Sequence, residues 1–203
     1  MMRGERLFRT WFDLVDAPAS MRSFVLGELG SPRRHWHGLV HHALMLRAVI
    51  RAELGPDNVR RLVFATLFHD IIYDATRTDN EEASAAVSRA WLAGDEADSI
   101  ATMILATKHH DLHTDPVTRT LLDADLAVLW TSSPRLYAFY ARGIRAEYAH
   151  VPDAAYRVGR TAVLRQLREQ LTPRLDHARV ACLARNLDGE MALLAAGRYD
   201  LAR

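Results

Sequence analysis

Apolar residues recur every three or four positions along nearly the whole chain, and no stretch alternates polar and apolar residues with β-branched enrichment. That period belongs to helices with one buried face, so the pattern predicts an all-α fold. Ala, Leu and Arg dominate the chain, and all three favour helices. The spacing predicts helices over about 4–16, 20–29, 35–54, 56–72, 79–93, 95–110, 117–131, 134–149, 153–170 and 174–196. Punctuation agrees with these bounds: LGPDN at 54–58, AGDEADS and HTDPVT each stop one helix and start another, and Pro134, Pro152 and Pro173 stand where helices can begin. Connections this short favour packed neighbours, so the expectation is one compact helical bundle over 1–203. No internal repeat, low-complexity segment or long linker interrupts it.

Composition narrows the function classes. The 49% hydrophobic content of 203 residues is enough for one sizeable core. Twenty-six basic side chains balance twenty-five acidic ones, for a net charge of +1, so no global field points to nucleic acid or an anionic membrane. The aromatics are dispersed, which also argues against a stacking platform for single strands. The single Cys182 leaves no internal disulfide and no thiolate zinc site, and suits a reducing, cytoplasmic setting. No run approaches the roughly 20 apolar residues of a membrane span, and none has signal-peptide character. Trp11, Trp36, Trp91 and Trp130 can be buried inside or at a subunit contact, leaving a homo-oligomer open.

The histidines change the picture. Four of the ten lie within residues 35–42 and three more within 109–113. On a helix, His37 and His41 project from one face a turn apart, a geometry that can serve a metal or a hydrogen-bonding role. In LVFATLFHDIIYD, residues 62–74, His69, Asp70 and Asp74 follow an apolar run, and Asp123 and Asp125 sit in LLDADLAVLW. Buried carboxylates need compensation, and one divalent cation held by His41, His69, Asp70 and Asp125 would supply it. Mixed imidazole and carboxylate donors suit Mn, Zn, Fe, Co or Ni better than a calcium-type oxygen cage.

The order H…HD…D, with about 28 residues between the first His and the doublet, resembles the HD-domain metal-dependent phosphohydrolase superfamily. RHWHGLVHH, FHDIIYD, NEEASA, ATKHH, LLDADLAVL, IRAEY, GR at 159–160 and ARNLDGEM resemble, in order over about 33–191, a bacterial branch of predicted HD superfamily hydrolases. The resemblance implies a metal-site core over about 33–131 with packing helices over about 134–196. It makes His41 the first ligand, His69 and Asp70 the doublet and Asp125 the closing ligand, with Mg added to the candidate ions. His42, where that branch often has an aliphatic residue, leaves open which of His41 and His42 faces the metal.

Around that core, Glu81 is a candidate water-orienting carboxylate or a first-turn helix acid. His110 is a candidate to orient water, bind phosphate or cap its helix, and His37 to donate to phosphate or carry a proton. Lys108 and Arg34 are candidate phosphate-binding cations or surface charges. The function expected is hydrolysis of a nucleotide or another small phosphorylated metabolite, with Asp70, or Glu81 through a water, taking the proton. Two further readings stay open: a di-iron oxygenase, for which His110 with His37 or His113 would supply extra ligands, and a binding module without turnover.

Overall fold

A computed structural model describes the backbone of residues 2–199 and the side chains of residues 8–199. Helices account for 71% of the chain, and the described residues contain no strand, so the fold is all-α. The helices are α1 (Met2–Leu14), α2 (Ala19–Leu29), α3 (Leu39–Val49), α4 (Pro56–Phe68), α5 (Asn80–Trp91), α6 (Gly94–Ala106), α7 (Pro116–Leu126), α8 (Pro134–Glu147), α9 (Asp153–Leu171) and α10 (His177–Ala195). Short 3-10 turns cover Ala127–Trp130 and Thr172–Arg174. None of these helices is long and apolar enough to cross a membrane.

The chain divides into two compact units, Met1–Asp125 and Leu126–Arg203. In the first, α4 is the central element: all seven residues from Leu62 to Phe68 are buried, as expected of a helix covered on every side. The helices α3, α5 and α6 pack against it. Pro56 at its first turn and Asp57 beside its N-terminus start it favourably. The surrounding core includes Phe8, Phe12, Met45, Leu46, Ile100 and Ile104. This unit carries every candidate metal ligand.

Several helices are shorter than expected, α3 ending at Val49, α6 at Ala106 and α7 at Leu126, and two of the differences shape the site. The segment 35–38 is not helical, and α3 begins only at Leu39. Gly38 is its N-cap in extended backbone, and its Cα lies so close to α2 that an added Cβ would stand 2.8 Å from the Leu29 carbonyl oxygen. His37 therefore sits in a turn and not on the face of a helix. Similarly, α4 ends at Phe68 with His69 as its C-cap, because the next backbone groups bond elsewhere. The Asp70 and Ile71 carbonyls accept from Arg34, and the Ile72 amide donates to the Ser84 hydroxyl.

In the second unit, α10 packs on α8, α9 and the turn at Ala127–Trp130. Asn186 donates to the Leu129 and Thr131 carbonyls, at 3.0 Å each. Glu190, 4% exposed, accepts from Tyr137 Oη at 2.6 Å and from Arg160 Nε at 2.7 Å. Arg160 also lies 5.1 Å from the Tyr140 ring centroid. Arg145 donates to the Tyr148 and Val151 carbonyls and to Asp153, closing the turn after α8.

Candidate metal centre

The site is assembled at the ends of elements. His41 lies on the first turn of α3, His69 caps α4, Asp70 follows it, and Asp125 closes α7. Because the second half of α4, Leu62–Phe68, is buried throughout, the doublet at its end inherits a fixed position. The His69 Nδ1–H donates to the Thr66 carbonyl at 2.9 Å, which sets the ring orientation and turns Nε2 into the site.

His41, His69 and Asp125 each offer a ligand atom, and these atoms all lie within 4.8 Å of one another. The two Nε2 atoms are 3.2 Å apart. His41 Nε2 is 3.0 Å from Asp125 Oδ1 and 3.8 Å from Asp70 Oδ2. His69 Nε2 is 2.9 Å from Asp70 Oδ2 and 3.8 Å from Asp125 Oδ1. Asp70 thus faces both rings without joining the mutual set of three. Two imidazole lone pairs cannot face each other at this distance, so a proton or a cation must lie between them. Nitrogen ligands at 2.0–2.1 Å from one ion stand about 3.0–3.4 Å apart at ordinary coordination angles. The donor types and their spacing fit a divalent transition metal.

Electrostatics sort the four groups. Both histidines are buried, while Asp70 and Asp125 keep 13% exposure and open the cluster on one side. Burial pushes His41 below the ordinary histidine range, outweighing the pull of Asp125. Burial acts the same way on His69, but the carboxylates of Asp70 and Asp125 overcome it and raise the ring to about 9. Burial opposes ionisation of Asp70 too, yet the neighbouring His69 holds its carboxyl well below the usual range. Asp125 is likewise held low against burial, chiefly by hydrogen bonds from His110 and His41.

The remaining candidates are distributed unevenly. His110 Nε2 donates to Asp125 Oδ2 at 2.7 Å, so the two oxygens of that carboxylate serve different histidines. Its backbone sits at φ 54° and its amide bonds to the Ala106 carbonyl at 3.2 Å, an αL ending for α6. The His37 ring stacks on Tyr73 with centroids 4.1 Å apart and meets the His41 ring edge-on at 5.8 Å. Glu81 occupies the first turn of α5 and is not in the set of three. Lys108 donates to the Thr78 carbonyl and to Glu82. Arg34 donates to the carbonyls of His37, Asp70 and Ile71. Asp123 is exposed, and His113 accepts from the Asp115 amide.

Of the adjacent pair, His41 turns to the cluster. His42, fully buried, donates from Nδ1 to the Gly38 carbonyl at 3.0 Å and packs its ring 4.7 Å from that of His69. Its Nε2 has no hydrogen-bond partner. Burial, with His69 and His41 nearby, holds it neutral, well below the ordinary range. The sequence reading did not single out Thr66 or Ser84, and no residue pattern marks a backbone acceptor such as the Thr66 carbonyl.

No family model, no curated protein and no solved structure matches the chain. The class that fold and site define is therefore an all-helical protein with a buried histidine–carboxylate cluster.

Proposed function

We propose that this chain is a cytoplasmic metal-dependent phosphohydrolase of the HD-domain type, acting on a nucleotide or another small phosphorylated metabolite. The observation that carries the reading is the convergence of His41 from α3, His69 from the C-cap of α4 and Asp125 from α7 within 4.8 Å, with Asp70 against both rings. The ordered motif resemblance supports the same residues. A divalent ion at these donors would supply Lewis acidity, acidifying water and polarising a phosphoryl oxygen.

The chain's own groups divide the remaining work. Asp70 and Asp125, held as carboxylates, would bind the cation and offset its charge. His110 keeps Asp125 in one orientation through Oδ2. His37, half-buried beside His41, is the candidate to donate to a phosphate oxygen or a leaving oxygen. Arg34 and Lys108 bond to backbone carbonyls and Glu82, so the positive charge to draw phosphate would be supplied mainly by the bound ion.

The test is elemental analysis of untagged protein purified without chelator, beside His69→Ala and Asp70→Ala. About one transition metal per chain, lost in both variants with helicity kept, followed by metal-dependent release of phosphate from a small ester, is the expected result. Two irons per chain with oxygen-dependent substrate loss would transfer the site to the oxygenase reading. No metal after supplementation would refute the proposal, and tight nucleotide binding without product would leave a binding module.

A further inference from the structure

The metal-centre reading leaves Arg34 without a role, and its contacts suggest one. It precedes α3 in an irregular segment, yet its guanidinium reaches a second segment 36 residues away. Nη1 donates to the His37 carbonyl at 3.0 Å and to the Asp70 carbonyl, and Nη2 donates to the Ile71 carbonyl at 2.7 Å. The acceptors belong to two of the three pieces of backbone that carry the cluster, Asp125 on α7 being the third. One leads into α3 and His41, and the other runs on from His69.

Residues 69–72 have left the helix, so their polar groups need partners from elsewhere. The His69 amide returns to the Ala65 carbonyl at 2.8 Å and the Ile71 amide to Phe68 at 3.1 Å. The carbonyls of Asp70 and Ile71 are met by Arg34 alone among the bonds described. The next residue is held from the other side: the Ile72 amide donates to Ser84 Oγ at 3.1 Å, and Ser84 Oγ–H donates to the Ile72 carbonyl at 3.2 Å. Ser84 is fully buried on α5. A planar fork with several fixed N–H directions suits two adjacent carbonyls and a third across the gap, whereas an ammonium offers a point charge on a flexible stem.

We infer that Arg34 is a positioning residue for the metal centre: its guanidinium clamps the backbone of the His69–Asp70 doublet to the segment leading into His41, fixing the separation of the two rings. This inference rests on the metal-centre reading. It assigns Arg34 to the backbone and not to a substrate phosphate. Removing such a support loosens the donor set without deleting a donor, the behaviour of partners that orient ligands, worth about 10–100-fold in metal affinity.

The experiment titrates Co(II) into the full chain and into Arg34→Ala and Arg34→Lys, following the visible absorption of the bound ion, with circular dichroism as the check on folding. The expected result is unchanged helicity, an affinity at least about tenfold weaker in both variants and an altered absorption band. Methylguanidinium should restore both in Arg34→Ala, and methylammonium should not. Wild-type affinity and absorption in either variant, or rescue by both additives alike, would overturn the inference. So would unfolding of both variants, since Arg34 would then hold the fold and not the centre. If the wild-type chain takes up no Co(II), the metal reading fails by itself, and the clamp is read from hydrogen exchange of the Ile71 and Ile72 amides. Exchange at least about tenfold faster in Arg34→Ala supports the clamp, and unchanged exchange rejects it.

Discussion

A metal ion entering this cluster competes with a proton on His69. In the metal-free protein that ring titrates at about 9, while Asp70 and Asp125 are already ionised and His41 is already neutral at pH 7. Binding should therefore release close to one proton per ion at pH 7. The apparent affinity should rise about tenfold per pH unit between pH 6.5 and 8. At pH 7, two units below the titration point, it should stand about 100-fold, or about 2.7 kcal/mol, below its plateau. Isothermal titration of Co(II) in buffers of different ionisation enthalpy counts the protons directly. An ordinary histidine, about one-quarter protonated at pH 7, would release only about 0.25, so a count near that value with a flat pH profile would refute the reasoning. A second reading uses no metal: the His69 ring should titrate near 9 by NMR in the wild type, and clearly lower in Asp70→Asn, which removes the largest raising influence. The sign for stability follows. His69 binds its proton more tightly folded than unfolded, so its contribution is complete below about 6.5 and is lost as pH rises through about 9.

Other perturbations test the surrounding structure. Glu190→Ala strands the buried Arg160 guanidinium and the Tyr137 hydroxyl, and should cost about 3–5 kcal/mol in a urea melt; a loss below about 1 kcal/mol would show that the pair contributes little. Gly38→Ala places a Cβ 2.8 Å from the Leu29 carbonyl oxygen and 3.3 Å from Arg34 Cβ. It should cost about 1–3 kcal/mol and weaken Co(II) binding, and unchanged melting and binding would contradict that close approach. Asp115→Ala removes the carboxylate that accepts from the Thr118 amide at 2.9 Å and its hydroxyl at 2.7 Å, at a cost of about 1 kcal/mol. Burial opposes ionisation of Asp115, but the Thr118 bonds outweigh it and lower the group. The wild-type advantage should therefore be complete at pH 7 and fade as pH falls below about 4; an advantage that persists at pH 2 would rule out the carboxylate cap.

The linear chain determined the helices themselves. A period near 3.6, with Pro56, Pro116 and Pro134 opening helices and Asp115 and Ser133 ahead of two of them, is local information. So is the oddity of His69 and Asp70 at the end of Leu62–Phe68, because a carboxylate after a run apolar but for Thr66 needs compensation wherever the run packs. Tertiary structure decided the rest. Whether His41 or His42 faces the cluster depends on how α3 is turned against its neighbours, with His42 packed on His69 and bonded to the Gly38 carbonyl, contacts that no periodicity encodes. His37 lies ahead of the extended N-cap Gly38 and so outside the helix. His110 reaches Asp125 only because its backbone adopts a positive φ at the end of α6, which side-chain spacing along a helix cannot express. The sequence left Arg34 as a candidate phosphate-binding cation or a surface charge, and only packing brings three carbonyls to its guanidinium, the contacts behind the proposed clamp. Side-chain period records which face of an element is apolar; which groups from distant elements meet is set by packing across the whole core, where contacts have no sequence-local signature.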